Sequence, residues 1–361
     1  MIQRSNSVSV LLTGGTGYIG SHAAVALTQA GHRVVLYDNL CNSSATVVDR
    51  LFAITGKRLA FVEGDVADTR LLLKVLREHQ VTAVVHFAGL KAVNESIIAP
   101  VNYYSSNVQG TISLLKAMDA MEIRKLVFSS SATVYGHPDY TPIDEDHPKR
   151  TTNPYGRSKL HIEDMLYDVA QSHSDWRIAC LRYFNPVGAH KSGLIGEDPI
   201  GLPNNLMPYI AQVAAGKLPR LSVFGSDYET PDGTGIRDYI HVMDLAEGHL
   251  AALDFLRESR GWHTFNLGTG KGHSVLEMAR TFEAVSGRSV HYRLEPRRRG
   301  DVAVCYANPQ KAARYLNWTA TRTLEDMCAS TWHWQASLLQ DEMPLTRAPS
   351  NWEFRGNPVA G

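Results

Sequence analysis

A tyrosine and a lysine four residues apart are the side chains of this sequence best suited to proton transfer. Tyr155 and Lys159 lie in NPYGRSKL, and apolar residues recur at helical spacing after them. Residues i and i+4 share one face of a helix, and a neighbouring ammonium lowers the pKa of a phenol. The pair therefore predicts a base that takes a proton from a substrate hydroxyl. By itself the spacing is a weak signal, because a surface Tyr–Lys pair shows it too. Ser131, the third serine of SSSATVYG, is predicted to hydrogen-bond the same hydroxyl.

A glycine-rich turn near the start of the chain indicates a phosphate-binding loop. Gly14, Gly17 and Gly20 lie in TGGTGYIGSH, between an apolar stretch and a helical pattern. Glycine permits a tight turn and close approach of the backbone to a pyrophosphate, which then meets free N–H groups of the helix. Asp38 ends the second apolar stretch, where a carboxylate accepts both ribose hydroxyls of adenosine and repels a 2′-phosphate. The combination predicts that the chain binds NAD rather than NADP.

Alternating apolar stretches and helical patterns predict the elements that carry these residues. The apolar stretches are rich in Val, Ile, Leu and Phe, as are strands buried on both faces. They cover residues 7–15, 33–39, 59–65, 82–89, 125–136 and 177–188. This is the pattern of an α/β fold with a doubly wound parallel sheet of the Rossmann type. Ligands in such sheets bind at the carboxyl ends of the strands, where the motifs above lie.

The pattern changes after the sixth apolar stretch and predicts a second, smaller α/β domain. Residues 1–188 are predicted to form the NAD-binding domain, rejoined by about 236–268, where one more strand and helix are expected. Residues 189–235 and 269–340 are predicted to form a discontinuous substrate-binding domain. Residues 341–361 are rich in Pro, Gly, Asn and Ser and are expected to be a loosely held tail.

Charge and cysteine content exclude several classes of protein. Lys+Arg and Asp+Glu are both 36, so the formal net charge is zero, which argues against a general nucleic-acid binder. The four cysteines form no CxxC pair, which disfavours a zinc cluster or disulfide scaffold and fits a reducing compartment. There is neither the apolar core of a signal peptide nor an apolar run of about 18 residues, the length of a membrane span. We therefore expect a cytoplasmic enzyme with neither a nucleic-acid nor a membrane partner.

Motifs along the chain resemble the UDP-glucose 4-epimerase family of the extended short-chain dehydrogenase/reductase superfamily. They include GGTGYIGSH, HFAGLKAV, SSSATVYG, PYGRSK, LRYFNPVGAH, PNNLMPYIAQVA and DGTGIRDYIHVMDLA. The likeness spans about residues 8–335 and extends into the predicted second domain, so it is specific. It implies NAD-dependent, reversible epimerisation of UDP-glucose and UDP-galactose at C4 through a 4-keto intermediate, with NAD tightly bound. It also implies a homodimer, for which helices at 102–121 and 155–172 are the candidate interface.

The resemblance carries roles over to individual positions. It implies that Tyr155 is the catalytic base and acid, that Lys159 sets its pKa, and that Ser131 assists it. The implied NAD contacts are Gly14, Gly17, Tyr18, Ile19, Gly20, Asp38, Asn39, Asn42, Ser43, Asp65, Val66, Phe87, Ala88, Lys91, Ser106, Tyr155, Lys159 and Phe184. The implied UDP-sugar contacts are Ser131, Tyr155, Asn185, Asn205, Leu206, Phe224, Arg237, Tyr239, Arg298, Asp301 and Cys305.

Three positions need separate comment against the family pattern. Ser106 stands where the family often has an asparagine, so one hydrogen bond to NAD differs there. Cys305 stands where the family has either a tyrosine or a small residue beside the sugar. A small residue leaves room for an N-acetyl group, which predicts that UDP-GlcNAc and UDP-GalNAc are also substrates; simple strand packing is the alternative. Arg298 is implied to hold phosphate, whereas Arg297 and Arg299 are interpreted as solvated surface charges.

Other functions remain as alternatives. A nucleotide-sugar 4,6-dehydratase of the same superfamily needs an acid–base pair just after Ser131, where this chain has Ala132 and Thr133. A decarboxylase or 5-epimerase is disfavoured by the motifs of the second domain, and a non-catalytic NAD-binding regulator usually lacks the Tyr–Lys pair. His241, Asp244 and neighbouring acids are interpreted as polarity at the start of a helix, so no metal is expected. Trp332 and Trp334 are expected to pack in a core.

Overall fold

The structure is a computed structural model that describes residues 7–298 and 300–342. Its strands are β1 (Ser9–Thr13), β2 (Arg33–Asp38), β3 (Ala60–Glu63), β4 (Ala83–His86), β5 (Lys125–Ser129), β6 (Arg177–Tyr183), β7 (Asn185–Val187), β8 (Leu221–Phe224), β9 (Ile236–Arg237), β10 (Tyr239–His241), β11 (Gly261–Leu267), β12 (His273–Ser274), β13 (Tyr292–Glu295) and β14 (Val304–Cys305). Its α-helices are α1 (Tyr18–Gln29), α2 (Thr46–Thr55), α3 (Thr69–Glu78), α4 (Val93–Ile98), α5 (Pro100–Tyr103), α6 (Gly110–Ala120), α7 (Pro154–Ser172), α8 (Leu206–Ala214), α9 (Val242–Phe255), α10 (Val275–Ser286), α11 (Gln310–Leu316) and α12 (Leu324–Glu342).

Seven parallel strands form the central sheet, in the order β11-β6-β5-β4-β1-β2-β3. The order runs outward in both directions from β1 and β4, so the loops that follow these two strands diverge and leave a crevice. β1 shows why the strand sequences are continuously apolar, because Val10 and Leu12 pack into one hydrophobic cluster and Leu11 into another. The doubly wound sheet predicted from the sequence is confirmed.

Helices cover both faces of the sheet. On one face α1, α2 and α9 contribute Leu27, Leu51 and Leu253 to the first cluster. On the other face α3, α6 and α7 contribute residues such as Leu114 and Ile162 to the second cluster. The catalytic candidates on α7 are therefore anchored by the apolar side of a helix that packs directly on the sheet.

The chain leaves the central sheet at Phe184. The Phe184 N–H donates to the Leu267 carbonyl at the end of β11, and the next N–H, of Asn185, donates to the Asp238 carbonyl. The stretch 177–188, predicted as one strand, is therefore two strands in different sheets, since β7 pairs with β10. The additional strand and helix expected near residue 240 are present as β10 and α9, but β10 lies outside the central sheet.

The remaining elements pack around a third cluster. It contains Met207 of α8, Phe282 of α10 and Met327 of α12, and it covers the parallel pair β8–β13. A small three-stranded sheet, β12-β9-β14, lies beside it. Trp334 is 4 % exposed and Trp332 packs against this cluster, so their predicted role in a core is confirmed.

Residues 236–268, predicted to rejoin the first domain, contribute strands to more than one sheet. Within 236–268, β11 joins the central sheet, whereas β9 and β10 pair outside it. The structure does not by itself divide the chain, so the domain boundaries stay a prediction. The predicted tail falls outside the described residues except for the end of α12. None of the helices described here is both long and apolar enough to cross a membrane.

Candidate active site

The catalytic candidates meet at the carboxyl end of β5. The N-cap of α7 is Asn153, whose side-chain oxygen accepts from the Gly156 N–H at 2.8 Å, and Pro154 follows as the first residue of the helix. This start places Tyr155 and Lys159 on the buried face of the helix, where they are 7 % and 4 % exposed. Close packing is enforced at Gly156, where an added Cβ would lie 2.8 Å from the Thr133 carbonyl oxygen.

Two groups of Thr133 orient the Ser131 hydroxyl towards Tyr155. The Thr133 N–H and the Thr133 hydroxyl donate to Ser131 Oγ at 3.2 and 3.0 Å. With both bonds accepted, Ser131 keeps its own proton to donate, and its side chain is hydrogen-bonded to Tyr155. In the sequence, Thr133 stands out only as a residue that cannot act as the acid of a dehydratase. Its hydrogen bond to Ser131 could have been predicted, because Ser and Thr side chains commonly bond to groups close to them in the chain.

The direction of the Tyr155 pKa differs from the prediction. Burial raises the pKa of Tyr155, and the hydrogen bond from Ser131 offsets this only partly. Burial also lowers the pKa of Lys159 to about 8. The Lys159 ammonium donates to the Ser129 carbonyl at 2.8 Å and lies 4.9 Å from the centroid of the Phe128 ring. The expected lowering of the tyrosine pKa by lysine is therefore not found in the polypeptide by itself, because desolvation is the larger effect.

The glycine loop, here called the glycine cradle, packs too closely against neighbouring backbone to accept side chains at Gly14 and Gly20. A Cβ at Gly14 would lie 2.7 Å from the Ala88 nitrogen, and one at Gly20 would lie 2.1 Å from the Gly14 oxygen. Gly14 also has φ +69°, a conformation that favours glycine. Gly17, the N-cap of α1, has no side chain that accepts from the first amides of the helix. These amides remain available to an anion, as the sequence predicted.

Asp38 faces the glycine loop from the end of β2. Its carboxylate is 7 % exposed and accepts from the Thr16 N–H at 3.1 Å and the Leu40 N–H at 2.9 Å. The Ser43 hydroxyl donates to the same carboxylate at 3.1 Å. Asp38, expected at the ribose, and Ser43, expected to contact NAD, therefore lie together beside the loop.

The other expected cofactor residues line the same edge of the sheet. Asn39 donates to Asp65 at 2.8 Å. The Lys91 ammonium donates to Glu197 at 2.8 Å and lies 5.9 Å from the ring centroid of Tyr18. Of the remaining positions, Ile19 packs against the first cluster, and Val66 and Ala88 pack in or against the second. Phe87 contacts His249, and Phe184 packs among Val134, Tyr135 and Ala307. Asn42 is exposed and Ser106 is half-buried.

Asn107, which the sequence motifs did not single out, joins two of these segments. Residues Tyr104–Gln109 form a π-helix between α5 and α6, a rare element that often marks functional sites. It presents Asn107, which donates to the Leu90 carbonyl at 3.1 Å and to the Ser158 hydroxyl at 3.0 Å and accepts from the Leu90 N–H at 2.8 Å. Asn107 thus ties the loop after β4 to the turn of α7 that carries Lys159.

The expected phosphate and uridine residues form a second group, on the small sheets and on the loop between β13 and β14. The Arg298 guanidinium lies 4.7 Å from the centroid of the Phe224 ring, and its Nε is 3.2 Å from Asp301. Arg237 donates to the Val302 carbonyl at 2.8 Å, and it is paired in register with Cys305 across β9 and β14. This group offers cations, a carboxylate and an aromatic face for a nucleotide.

The remaining substrate candidates are more dispersed. Asn185 lies opposite Tyr239 across β7 and β10, but Tyr239 is 3 % exposed and packs in the third cluster. Asn205 donates to Glu197 at 2.7 Å, next to Leu206 at the start of α8.

Arg297 is not simply solvated, because it pairs with Asp227 at 2.7 Å and stacks over the Tyr228 ring. Arg299 lies outside the described residues.

The histidine-rich stretch at the start of α9 is structural. His241 Nδ1 accepts from the Met243 N–H at 3.0 Å and caps the helix, and Asp244 is bound by Arg322. Throughout residues 7–298 and 300–342, there is no cluster of three or more His, Cys, Asp or Glu that could hold a metal. The interpretation of this stretch as helix-start polarity is confirmed.

Comparison with known proteins identifies the family. The NAD dependent epimerase/dehydratase family matches residues 10–268. This chain belongs to that family. It is 56 % identical to a UDP-glucose 4-epimerase of Bacillus subtilis (strain 168) over 330 residues, which is 91 % of this chain and 97 % of that protein. It is 51 % identical to a UDP-glucose 4-epimerase of Dictyostelium discoideum over 91 % of this chain and 95 % of the other.

Solved structures of the family superpose closely. A UDP-glucose-4-epimerase of Stenotrophomonas maltophila, with bound NAD and formylated UDP-arabinopyranose, matches with a TM-score of 0.91 and 54 % identity, covering 92 % of this chain and 99 % of that one. A Bifidobacterium longum UDP-glucose 4-epimerase in complex with NAD+ and UDP matches with a TM-score of 0.88 and 50 % identity, covering 91 % and 98 %. The fold derived above is thus the fold of the family.

The residues present fit the family's cofactor, NAD. A pyrophosphate needs close approach of the backbone, which glycine at positions 14 and 20 allows, and the buried Asp38 carboxylate beside the loop is a suitable acceptor for a ribose diol. Lys159 and Tyr155 lie further along the same edge of the sheet, as the far end of a dinucleotide requires.

Gly20→Ala tests the cradle. The methyl group would meet the Gly14 carbonyl at 2.1 Å, so we expect the loop to open and bound NAD to be lost on gel filtration. The measurement is the NAD released from denatured protein per chain. The control is Gly261→Ala, at φ +83° with nothing within 4 Å of the added Cβ, which costs stability but should keep NAD. Equal NAD contents in the two variants would contradict the assignment of the loop.

Proposed function

We propose that this chain interconverts UDP-glucose and UDP-galactose by inverting the configuration at C4, with NAD as its resident cofactor. The observation that carries the proposal is the meeting of Tyr155, Ser131 and Lys159 at the sheet edge that also holds the glycine cradle. Relatives that are more than half identical to this chain, over most of both chains, are UDP-glucose 4-epimerases, which supports the proposal.

The residues divide the chemistry among them. Tyr155 takes the proton of the sugar 4-hydroxyl and later returns it, and Ser131 holds the same hydroxyl by a hydrogen bond. NAD, when bound, accepts hydride from C4 and gives it back, so the reaction is redox-neutral and passes through a 4-keto sugar. Lys159, held at the Ser129 carbonyl, supplies the positive charge that favours the tyrosinate while the proton is away.

The second group holds the nucleotide while the sugar turns over. Arg237 and Arg298 supply cations for the diphosphate, and Asp301 accepts from the uridine ribose. Asn185, Asn205, Leu206, Phe224 and Tyr239 complete this proposed set. Because none of these groups lies on the central sheet, the nucleotide can stay bound when the sugar alone rotates to present its other face.

The 4,6-dehydratase alternative lacks its acid–base pair. Ala132 has no ionisable group, and the Thr133 hydroxyl is occupied in donating to Ser131 at 3.0 Å. Neither can move protons at C5 and C6 near neutral pH. We therefore place dehydration second.

The deciding experiment mixes the purified chain with UDP-galactose, without added nucleotide, and follows the anomeric proton signals by NMR. We expect UDP-glucose to appear until both sugars are at equilibrium. If no UDP-glucose forms even after NAD is added, the proposal is wrong. A 4-keto-6-deoxy product would establish the dehydratase instead.

Tyr155→Phe removes the proposed base and leaves the ring in place. We expect kcat to fall about 10²–10⁴-fold, the usual contribution of a positioned acid–base group, with NAD still bound. The matched control is Tyr167→Phe on the same helix, where the side chain is 49 % exposed, and its kcat should equal that of the wild type. A Tyr155→Phe variant with wild-type kcat would exclude Tyr155 as the base.

We propose that N-acetylated UDP-sugars are also substrates. Cys305 lies beside Arg237 at the proposed substrate end and packs near Phe184 and Ile143. Burial raises the pKa of its thiol to about 11, so it is a small neutral side chain there and not a nucleophile. Its volume leaves space beside the sugar that a tyrosine would fill.

Cys305→Tyr tests this volume. We expect kcat/KM for UDP-GlcNAc and UDP-GalNAc to fall at least tenfold, while UDP-glucose and UDP-galactose lose little, because only the N-acetyl group needs the space. Cys305→Ser, which keeps the volume, should retain all four activities. If the wild type ignores the N-acetylated pair, or the tyrosine variant handles it as well, the proposal fails.

We infer that the protein is a homodimer. Ile97, Ile98 and Val101 are 61, 85 and 75 % exposed on α4 and α5, which pack against α7. These apolar side chains adjoin the helices named from the sequence as an interface, and a second copy would remove them from water.

The four free thiols further support a reducing compartment, which we propose is the cytoplasm and which cell fractionation would test.

Ile98→Asp tests the interface. A charge at this position opposes burial, so sedimentation velocity should show the wild type as a dimer and the variant shifted towards monomer. The control is Ile200→Asp, at a loop position that is 74 % exposed, which should sediment as the wild type does. A monomeric wild type would refute the dimer.

A further inference from the structure

A third ionisable side chain lies on the same buried face of α7. Glu163 follows Lys159 by four residues, as Lys159 follows Tyr155, so all three project from one face. Glu163 is 0 % exposed. A fully buried carboxylate is costly unless it is paired and hydrogen-bonded, so its partners indicate what it does.

The partners of Glu163 are a serine and an arginine. The Ser130 hydroxyl donates to Glu163 Oε1 at 2.6 Å. Arg182 binds both carboxylate oxygens, with Nε 3.0 Å from Oε1 and Nη2 2.7 Å from Oε2. The Lys149 ammonium lies 3.9 Å from Oε2 at the surface side. Glu163 thus connects α7 to the ends of β5 and β6.

Ser130 immediately precedes the catalytic candidate Ser131. Its backbone N–H donates to the Leu181 carbonyl at 2.9 Å, and its side chain donates to Glu163. The two bonds hold Ser130 between β6 and α7. The position of Ser131 relative to Tyr155 therefore depends on Glu163, which lies on the same helix as Tyr155.

Glu163 also lies one helical turn from Lys159 on the same buried face, where its charge can act on the ammonium. Burial lowers the pKa of Lys159, and Cys180 and Glu163 act in the opposite direction. Burial raises the pKa of the Cys180 thiol well above its ordinary value, so this group is neutral near neutral pH. His86, on the other side of Lys159, has a pKa lowered by burial to about 3 and is neutral too. Among these neighbours Glu163 alone carries negative charge, with Arg182 balancing part of it.

Arg182 extends the cluster to the proposed substrate end. Arg182 Nη1 donates to the Tyr135 hydroxyl at 3.0 Å, which donates to Asn266 Oδ1 at 2.6 Å. The Asn266 amide donates to the Ile143 carbonyl at 2.9 Å, and the Ile143 N–H donates to the carbonyl of Tyr306, next to Cys305. A chain of hydrogen bonds therefore runs from Glu163 to Tyr306, the residue that follows β14.

We propose that Glu163 is a positioning residue of the epimerase reaction: through Ser130 it places Ser131 against Tyr155, and through its charge it keeps Lys159 an ammonium. The inference rests on the proposed function for its kinetic test. Buried ion pairs are weak contributors to stability compared with apolar replacements, so a role in aligning and charging the site accounts for the pair better than stability does.

Glu163→Gln separates charge from hydrogen bonding. The amide oxygen still accepts from Ser130, but the negative charge is gone. Removing an anion destabilises the protonated form of Lys159, so its pKa falls and the alkaline limb of the kcat–pH profile moves to lower pH. We expect a shift of about one pH unit, the lower end of the effect of a close opposite charge. An unmoved limb would overturn the electrostatic part of the proposal.

Ser130→Ala makes the complementary change, because it keeps the charge and removes the hydrogen bond. It deletes one buried oxygen, so folding should be retained even where the Glu163 variant fails to fold. We expect kcat to fall about tenfold with KM nearly unchanged and the alkaline limb unmoved, as for the loss of a charge-assisted hydrogen bond. A wild-type kcat would overturn the positioning part.

Asp244→Asn is the matched control for a buried carboxylate. Asp244 is 0 % exposed and paired with Arg322 at the start of α9, away from Lys159. Its loss should lower the melting temperature and leave the pH profile where it is. A similar limb shift in this variant would mean that any buried ion pair has the effect, and the proposal would fail.

A second measurement keeps the two proposals distinguishable. NAD retention on gel filtration is followed from about pH 7 to 10 in the wild type and in Glu163→Gln, because Lys159 is also expected at the ribose. We expect the variant to lose NAD at lower pH. If the wild type holds NAD but does not epimerise, the proposed function falls and this shift still tests Glu163. If both proteins lose NAD at the same pH, the inference falls alone.

Discussion

The burial of the Lys159 ammonium is the constraint on which the site depends. A cation that is only 4 % exposed needs a partner, and it finds the Ser129 carbonyl at the end of β5. This bond ties α7 to the central sheet at the level where Ser131 leaves the strand. Burial lowers the pKa of Lys159 and raises the pKa of Tyr155. Charges that come close to the pair therefore change both pKa values.

The parallel sheet explains why one edge collects all of this chemistry. Parallel strands bring every carboxyl end to the same side, so the loop after β1, Asp38 after β2 and Ser131 after β5 become neighbours. Glycine is required where the backbone itself comes closest, at Gly14 and Gly20. Asn107, on the π-helix, donates hydrogen bonds both to the loop after β4 and to α7, so it fixes these two segments relative to each other.

The proposed substrate end is built differently, from short strands that pair outside the central sheet and from the loop that carries Arg298 and Asp301. The change occurs where the chain passes from β6 to β7 at Phe184 and begins to pair with β10. Arg237 and Arg298 are held there by backbone carbonyls and by Asp301, and each retains a charged group for a ligand. Separate supports for the nucleotide and for the reacting carbon suit a reaction in which the sugar must turn while its carrier stays in place.

The sequence by itself determined the local features. The glycine turn, the i, i+4 relation of Tyr155 and Lys159, and six of the seven strands of the central sheet follow from spacing and from runs of apolar residues, which depend on near neighbours only. The division of residues 177–188 between two sheets, the hold of Thr133 on Ser131 and the direction of the Tyr155 pKa did not follow. Each of these is decided by what packs against the residue.

Only the tertiary structure brought Glu163 and Arg182 together at the back of the site. Glu163 is one more polar position in a helical pattern, and Arg182 interrupts an apolar strand. Nothing in the spacing of the two relates them. Their pairing exists because α7 packs across β5 and β6, and the low dielectric of that interface gives the pair its influence on Lys159. Local sequence specified the groups that do the chemistry, and packing decided their charge and alignment.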